Sequence, residues 1–147
     1  VAAVDGSGNI VVAWRQAESP TSLPEVLVRA FDRQGRPEGR IQRVDDAPGT
    51  GVHGPLGPRV AFIDGAPVVV WQVWRYGEVR RFARRLDSKG QPMASTSCID
   101  AVPSALATAR SEEIFGTGEG LELFRWRRRD DLSDDERVLE RVRVPPG

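Results

Sequence analysis

The chain has one cysteine, Cys98, one histidine, His53, one methionine and one tyrosine in 147 residues. A single cysteine closes no internal disulfide and builds no thiolate metal site, and a lone histidine removes most zinc and triad chemistry. An excess of one charge is missing too: 21 basic residues balance 21 acidic ones, so no net field draws the chain to nucleic acid or an anionic membrane. No apolar run is long enough to span a bilayer, and the N-terminal VAAVDG has neither a basic n-region nor an apolar h-region. The expectation is a segment without signal peptide, membrane insertion, cofactor or metal. Glycine and proline, 15 and 11 residues, stay below disordered or collagen-like levels.

What remains is the composition of a soluble globular domain, 39% hydrophobic and 29% charged, at a length that suits one domain. Within it lies an internal repeat. An apolar stretch, an acidic residue with Gly, and an apolar run ending in Trp occur as VAAVDGSGNIVVAW at 1–14 and VAFIDGAPVVVW at 60–71, with a looser EGLELFRW at 119–126. Trp14, Trp71 and Trp126 therefore recur at nearly equal intervals. A second segment follows each: VLVRAFDRQGRP at 26–37, FARRLDSKGQP at 82–92 and VLERVRVPPG at 138–147. It puts Arg29, Arg84 and Arg141 in step, each six residues before a glycine, Gly35, Gly90 and Gly147.

A period of about 55 residues suggests a propeller, solenoid or array, and strand content decides among them. Valine outnumbers leucine two to one, short runs end at DG, GN, PG or GQP turns, and no segment keeps an i, i+3, i+4, i+7 apolar pattern for three turns. The second repeat predicts strands near 59–63, 67–74, 79–87 and 94–101. Four consecutive antiparallel strands per repeat make a propeller blade.

The pattern of DG, a Val-rich strand ending in Trp, and R-x-F-D-x-x-G-x-P resembles the blade repeats of β-propellers in large secreted or surface proteins of Gram-negative bacteria. None of the four Trp is followed by Asp, and neither the sialidase Asp box nor a double-Gly kelch signature occurs, so better-marked propeller families fit less well. The resemblance implies an all-β partial propeller of about three four-stranded antiparallel blades, the last lacking its outer strand. As one domain over 1–147, its blades cover 1–52, 58–102 and 103–147. It implies a non-catalytic binding or structural module of a bacterial extracytoplasmic protein, in the periplasm or outside the cell. Twenty Arg against one Lys, Lys89, fits a GC-rich genome. The alternative is part of the propeller of a carbohydrate-active enzyme, a glycosidase or lyase.

The residues divide accordingly. Trp14, Trp71 and Trp126 read as aromatics packed between blades rather than a sugar-stacking ring. Arg29, Arg84 and Arg141 could converge on an anion, but Leu27, Phe82 and Leu139 two positions earlier on the same strand face favour structural arginines whose stems pack. Trp74 and Tyr76 belong to one repeat only, near a strand end beside Gly77, and are the candidates for a ligand contact. Asp5, Ser7 and Asn9 alternate like the first ligands of a calcium loop, but the sixth and twelfth positions, Ile10 and Gln16, fit a plain turn better. The acidic cluster within 130–136 reads as a solvated loop, and His53 as a loop residue. No pair of carboxylates stands out as catalytic.

A chain opening at Val1, within a first strand, and closing at Gly147, before a fourth, is expected to be a fragment. Its partners are then the remaining blades or a second copy through the end blades, with a protein or glycan as ligand and no nucleic acid.

Overall fold

A computed structural model of the chain describes residues 1–45, 56–75, 77–93, 95–103, 107–117, 120–128 and 137–144. Side chains are described among these as far as Ile99, Leu56 and Arg75 excepted. The described elements are all strands, arranged in antiparallel meanders. Strands β1 (Ala2–Val4), β2 (Ile10–Gln16), β3 (Glu25–Phe31) and β4 (Pro37–Arg43) form the first sheet in chain order. Strands β5 (Leu56–Ile63), β6 (Ala66–Arg75), β7 (Glu78–Arg85) and β8 (Ser97–Pro103) form the second. A three-stranded sheet of β9 (Ala107–Thr117), β10 (Gly120–Arg128) and β11 (Arg137–Val144) follows.

The repeat seen in the sequence is a repeat of register. Trp14 pairs with Leu27, Trp71 with Phe82 and Trp126 with Leu139. Two positions back along each central strand, Val12 pairs with Arg29, Val69 with Arg84 and Phe124 with Arg141. A one-residue slip in any of these pairings would turn every side chain of the strand to the opposite face, so register carries the burial pattern with it.

Turns hold this register. Asp64 and Gly65, with φ of 49° and 75°, make the two-residue hairpin between β5 and β6, a place where Asp-Gly is favoured. Three other hairpins share a D-x-x-G-x sequence at Asp5, Asp32 and Asp87. In each, the Asp Oδ1 accepts backbone N–H groups two and four residues on, at 2.8 to 2.9 Å. Gly8, Gly35 and Gly90 take φ of 86°, 76° and 79° at the fourth position, the left-handed region that glycine occupies without strain.

Packing then follows from alternation along each strand. One face of the first sheet presents Ala13, Val26 and Val28, fully buried, against Val69 and Trp71 of the second sheet. Trp71 stacks on Phe82 with ring centroids 6.0 Å apart, and Val44 and Leu86 complete the cluster. The opposite face of the second sheet carries a second cluster of Ala61, Ile63, Val68 and Val70, with Ala83 and Ile99 packed on it.

The register between the last two strands shifts in both sheets, but at different places: between Val28 and Ala30 in the first and between Arg81 and Phe82 in the second. Val44 continues the register of Leu27 with Arg43, its N–H donating to the Val26 carbonyl at 3.0 Å, and joins the cluster that contains Val26. Ile99, one repeat on, lies at the shift beside Phe82–Cys98 and joins the other cluster, a change of face that a bulge produces. The last strand of the second repeat begins at Ser97 rather than near 94, and Pro92 makes an isolated bridge to Leu86 beyond the end of β7.

Two outcomes test this packing. Trp71→Ala removes the largest fully buried side chain and should cost about 3 to 5 kcal/mol in a denaturant titration; a loss below about 1 kcal/mol would contradict the stacking of the two sheets. Gly39, at φ 91°, has no room for a Cβ, which would stand 2.9 Å from the Lys89 carbonyl oxygen. Gly39→Ala should therefore cost more than about 1 kcal/mol, while Gly6→Ala, where a Cβ meets open space, should be close to neutral.

Candidate functional site

On the second sheet the Trp and Arg positions lie on the face that meets the first sheet, and there they are covered. Trp71 is fully buried, and Arg84 reaches across the sheet interface, its Nη1 donating to the Val44 carbonyl oxygen at 3.0 Å. The guanidinium thus satisfies an acceptor at the end of the first sheet, where the Val26 N–H bonds to the Asp45 carboxylate. A charged donor on a partly buried carbonyl is among the stronger hydrogen bonds, and it adds direction to apolar packing that has none.

On the first sheet the same positions lie on the side away from the second. Trp14 is half-buried, with its Nε1 donating to the Gln16 side chain at 3.1 Å. Arg29 lies with its guanidinium 5.8 Å from the centroid of the Phe31 ring, a cation–π contact. Its Nε is buried without an acceptor. Arg29 and Arg84 are therefore separated by the thickness of the first sheet, and the fold does not bring them together on one anion. Trp126 and Arg141 take the equivalent register positions in β10 and β11, and their side chains lie outside the described set.

Trp74 stands near the end of β6, half-buried, opposite Val79. Tyr76, His53 and residues 130–136 lie outside the described residues. Cys98 is exposed on β8, in register with Phe82.

The DGSGN segment is a closed turn. Asp5 Oδ1 accepts from the Ser7 and Asn9 backbone N–H groups, and Oδ2 accepts from Asn9 Nδ2 at 2.9 Å. Desolvation pushes the Asp5 carboxyl up, but these bonds, with the Asn9 side chain first, hold it below its ordinary value. Asp32 behaves alike, held down by the Arg36 backbone N–H and the Arg36 side chain. The recurrence of D-x-x-G-x at Asp32 and Asp87 was the available signal that Asp5, Ser7 and Asn9 build a hairpin.

Two polar features have no counterpart in the sequence reading. Asp45 is 2% exposed, accepts the Val26 N–H at 3.0 Å and pairs with Arg43 Nε at 3.1 Å. Burial pushes its carboxyl above the ordinary value in spite of these bonds. It ties the end of the first sheet to the start of β3, next to the carbonyl that Arg84 uses. In the second repeat Asp100 occupies the equivalent position, with Arg81, buried, as its register partner where the first repeat has Val26. Val44-Asp45 and Ile99-Asp100 are thus a further pair that recurs in step with the repeat. Among the described residues no group of three or more His, Cys, Asp or Glu is placed to hold a metal ion.

Comparison of the chain with protein-family models, with curated proteins and with solved structures gives no match.

The two kinds of carboxylate should respond to acid with opposite sign. Asp45, raised in the folded state, penalises folding while ionised, so wild type should gain stability relative to Asp45→Asn as the pH falls from neutral toward 3.8. Asp32, lowered, contributes above 3.8, and wild type should lose its advantage over Asp32→Asn as the pH falls below that value. Denaturant titrations of the three proteins from pH 7 to about 3 measure both, and parallel curves would contradict the assignments. Separately, Arg84→Ala should cost about 1 to 3 kcal/mol by stranding the Val44 carbonyl, more than Arg29→Ala costs in the isolated chain. Equal costs would remove the distinction between the two arginines.

Proposed function

We propose that the chain is a partial β-propeller, three blades with the last lacking its outer strand, serving as a non-catalytic binding or structural module of a bacterial extracytoplasmic protein. The observation that carries this reading is one register repeated in three consecutive sheets whose leading strands meet. Strand β5 lies against β1 and β2, and β9 lies against β5. Meanders that touch through their first strands, with the later strands running outward, can be arranged about a common axis as blades.

The chemistry of the interface supports a scaffold. Between the first two sheets the buried residues are Ala, Val, Leu and Trp, and Arg84 is committed to a backbone carbonyl rather than to an open cleft. The ligand contact, for a protein or glycan, falls to Trp74 and Tyr76 at the β6–β7 connection, where one repeat departs from the others. Partners are the remaining blades or a second copy, and the extracytoplasmic location rests on the resemblance of the repeats.

A crystal structure of the assembled protein tests the architecture. Successive sheets related by rotation about one central axis are expected, and sheets in a linear stack or a closed barrel would overturn it. A panel of chromogenic glycosides and polysaccharides tests the module reading: no turnover is expected, and turnover abolished by replacing a carboxylate would move the protein to the carbohydrate-active enzymes.

A further inference from the structure

Asp-Gly occurs twice in the chain, at Asp5-Gly6 and at Asp64-Gly65. A glycine nitrogen is the one least hindered from attacking the carboxyl carbon of a preceding Asp, the step that closes a succinimide ring. Each pair follows a β-branched residue, Val4 or Ile63, so sequence alone gives the two the same reactivity.

The fold separates them. The Asp5 carboxylate is committed: Oδ1 accepts the Ser7 and Asn9 backbone N–H groups at 2.8 Å, and Oδ2 accepts from Asn9 Nδ2 at 2.9 Å. The Asp5 carbonyl also accepts the Gly8 N–H at 3.1 Å, which fixes the peptide that ring closure would have to turn. Asp64 is exposed, and its carboxylate makes no hydrogen bond or ion pair among the described residues. Gly65 is exposed too, with no atom within 4 Å of the place a Cβ would take. Among the described residues Asp64 is also the only non-glycine with a positive φ, 49°, a conformation that Asp tolerates but does not prefer. Opening this turn relieves strain and breaks no side-chain bond.

We propose that Asp64-Gly65 is a site of spontaneous backbone modification, where Asp64 closes to a succinimide and reopens as isoaspartate. The Gly65 nitrogen bonds to Asp64 Cγ and gives up its proton, the protonated carboxyl gives up its hydroxyl, and the two leave as one water. A second water adds at the Asp64 main-chain carbonyl carbon and breaks its bond to the Gly65 nitrogen, so the chain continues through Cγ and the α-carboxylate hangs free. Water is the only co-reactant. The product belongs to the chemical class that isoaspartyl carboxyl methyltransferases accept, with a methyl donor as co-substrate. Its place gives it reach: the turn joins the paired Ile63 and Ala66, and Ile63 and Val68 belong to the second buried cluster. One added backbone carbon lengthens a two-residue turn that sets the register of β5 on β6. The proposal is independent of the propeller reading.

The test is to incubate the full chain in mildly acidic buffer made with water enriched in heavy oxygen, then digest it in ordinary water and map the tryptic peptides by mass spectrometry. Trypsin puts the two Asp-Gly pairs in separate peptides, 1–15 and 60–75. In the folded chain, label should enter 60–75 about tenfold or more faster than 1–15, the weight of the hydrogen bonds that Asp5 has to give up. The labelled 60–75 peptide should elute as separate Asp and isoaspartate forms. In denaturant the two peptides should take up label at similar rates. Equal uptake by both in the folded chain would overturn the proposal. So would a 60–75 peptide that stays unlabelled in the folded chain while the denatured chain converts, or a preference for it that persists unchanged in denaturant.

Discussion

The structure depends on the way a large side chain from one sheet is received by small ones from the next. Trp71 and Phe82 project from the second sheet, and Ala13, Val26 and Val28 receive them. Such packing supplies most of the stabilisation but has little directional preference of its own. Arg84 supplies the direction. Its bond to the Val44 carbonyl sets where the second sheet sits along the first, and the Val44 side chain lies in the same core. Val44 thus serves both the apolar and the polar parts of the contact.

That arrangement in turn depends on hairpins that return each strand in the correct register. The three D-x-x-G-x turns close with the same set of bonds, an Asp carboxylate receiving two backbone N–H groups and a glycine in the left-handed region. The turn at Asp87 does a second task. Lys89 and Gly90 approach Gly39 and Ala30 of the first sheet so closely that β4 has no space for a side chain at position 39. Turn chemistry, register and sheet stacking are therefore one linked constraint, and a change in any of them is felt at the others.

Where the repeats differ, the difference is polar. The first repeat buries Asp45 against a backbone N–H and Arg43, whereas the second buries Arg81 at the place of Val26 and sets it in register with Asp100. Buried charge contributes less to stability than apolar packing of the same volume, but a wrong pairing leaves a charge unpaired, at a cost of several kcal/mol.

The strand order, the antiparallel meanders and the Trp and Arg register could be read from the chain because each is a local matter of alternation and turn residues. Asp64-Gly65 and the spacing of Trp14 and Trp71 announce their hairpins and strands without help from distant residues. The acceptor of Arg84 could not be read, since a backbone carbonyl has no sequence signature. Nor could the different circumstances of Trp14 and Trp71. Identical in their repeats, one is half-buried and the other enclosed, because burial is decided by what lies on the far side of the sheet. The sequence alone determined where Trp and Arg recur in the strands; only the tertiary structure decided which of them is covered, since covering one requires a second sheet from a full repeat away along the chain.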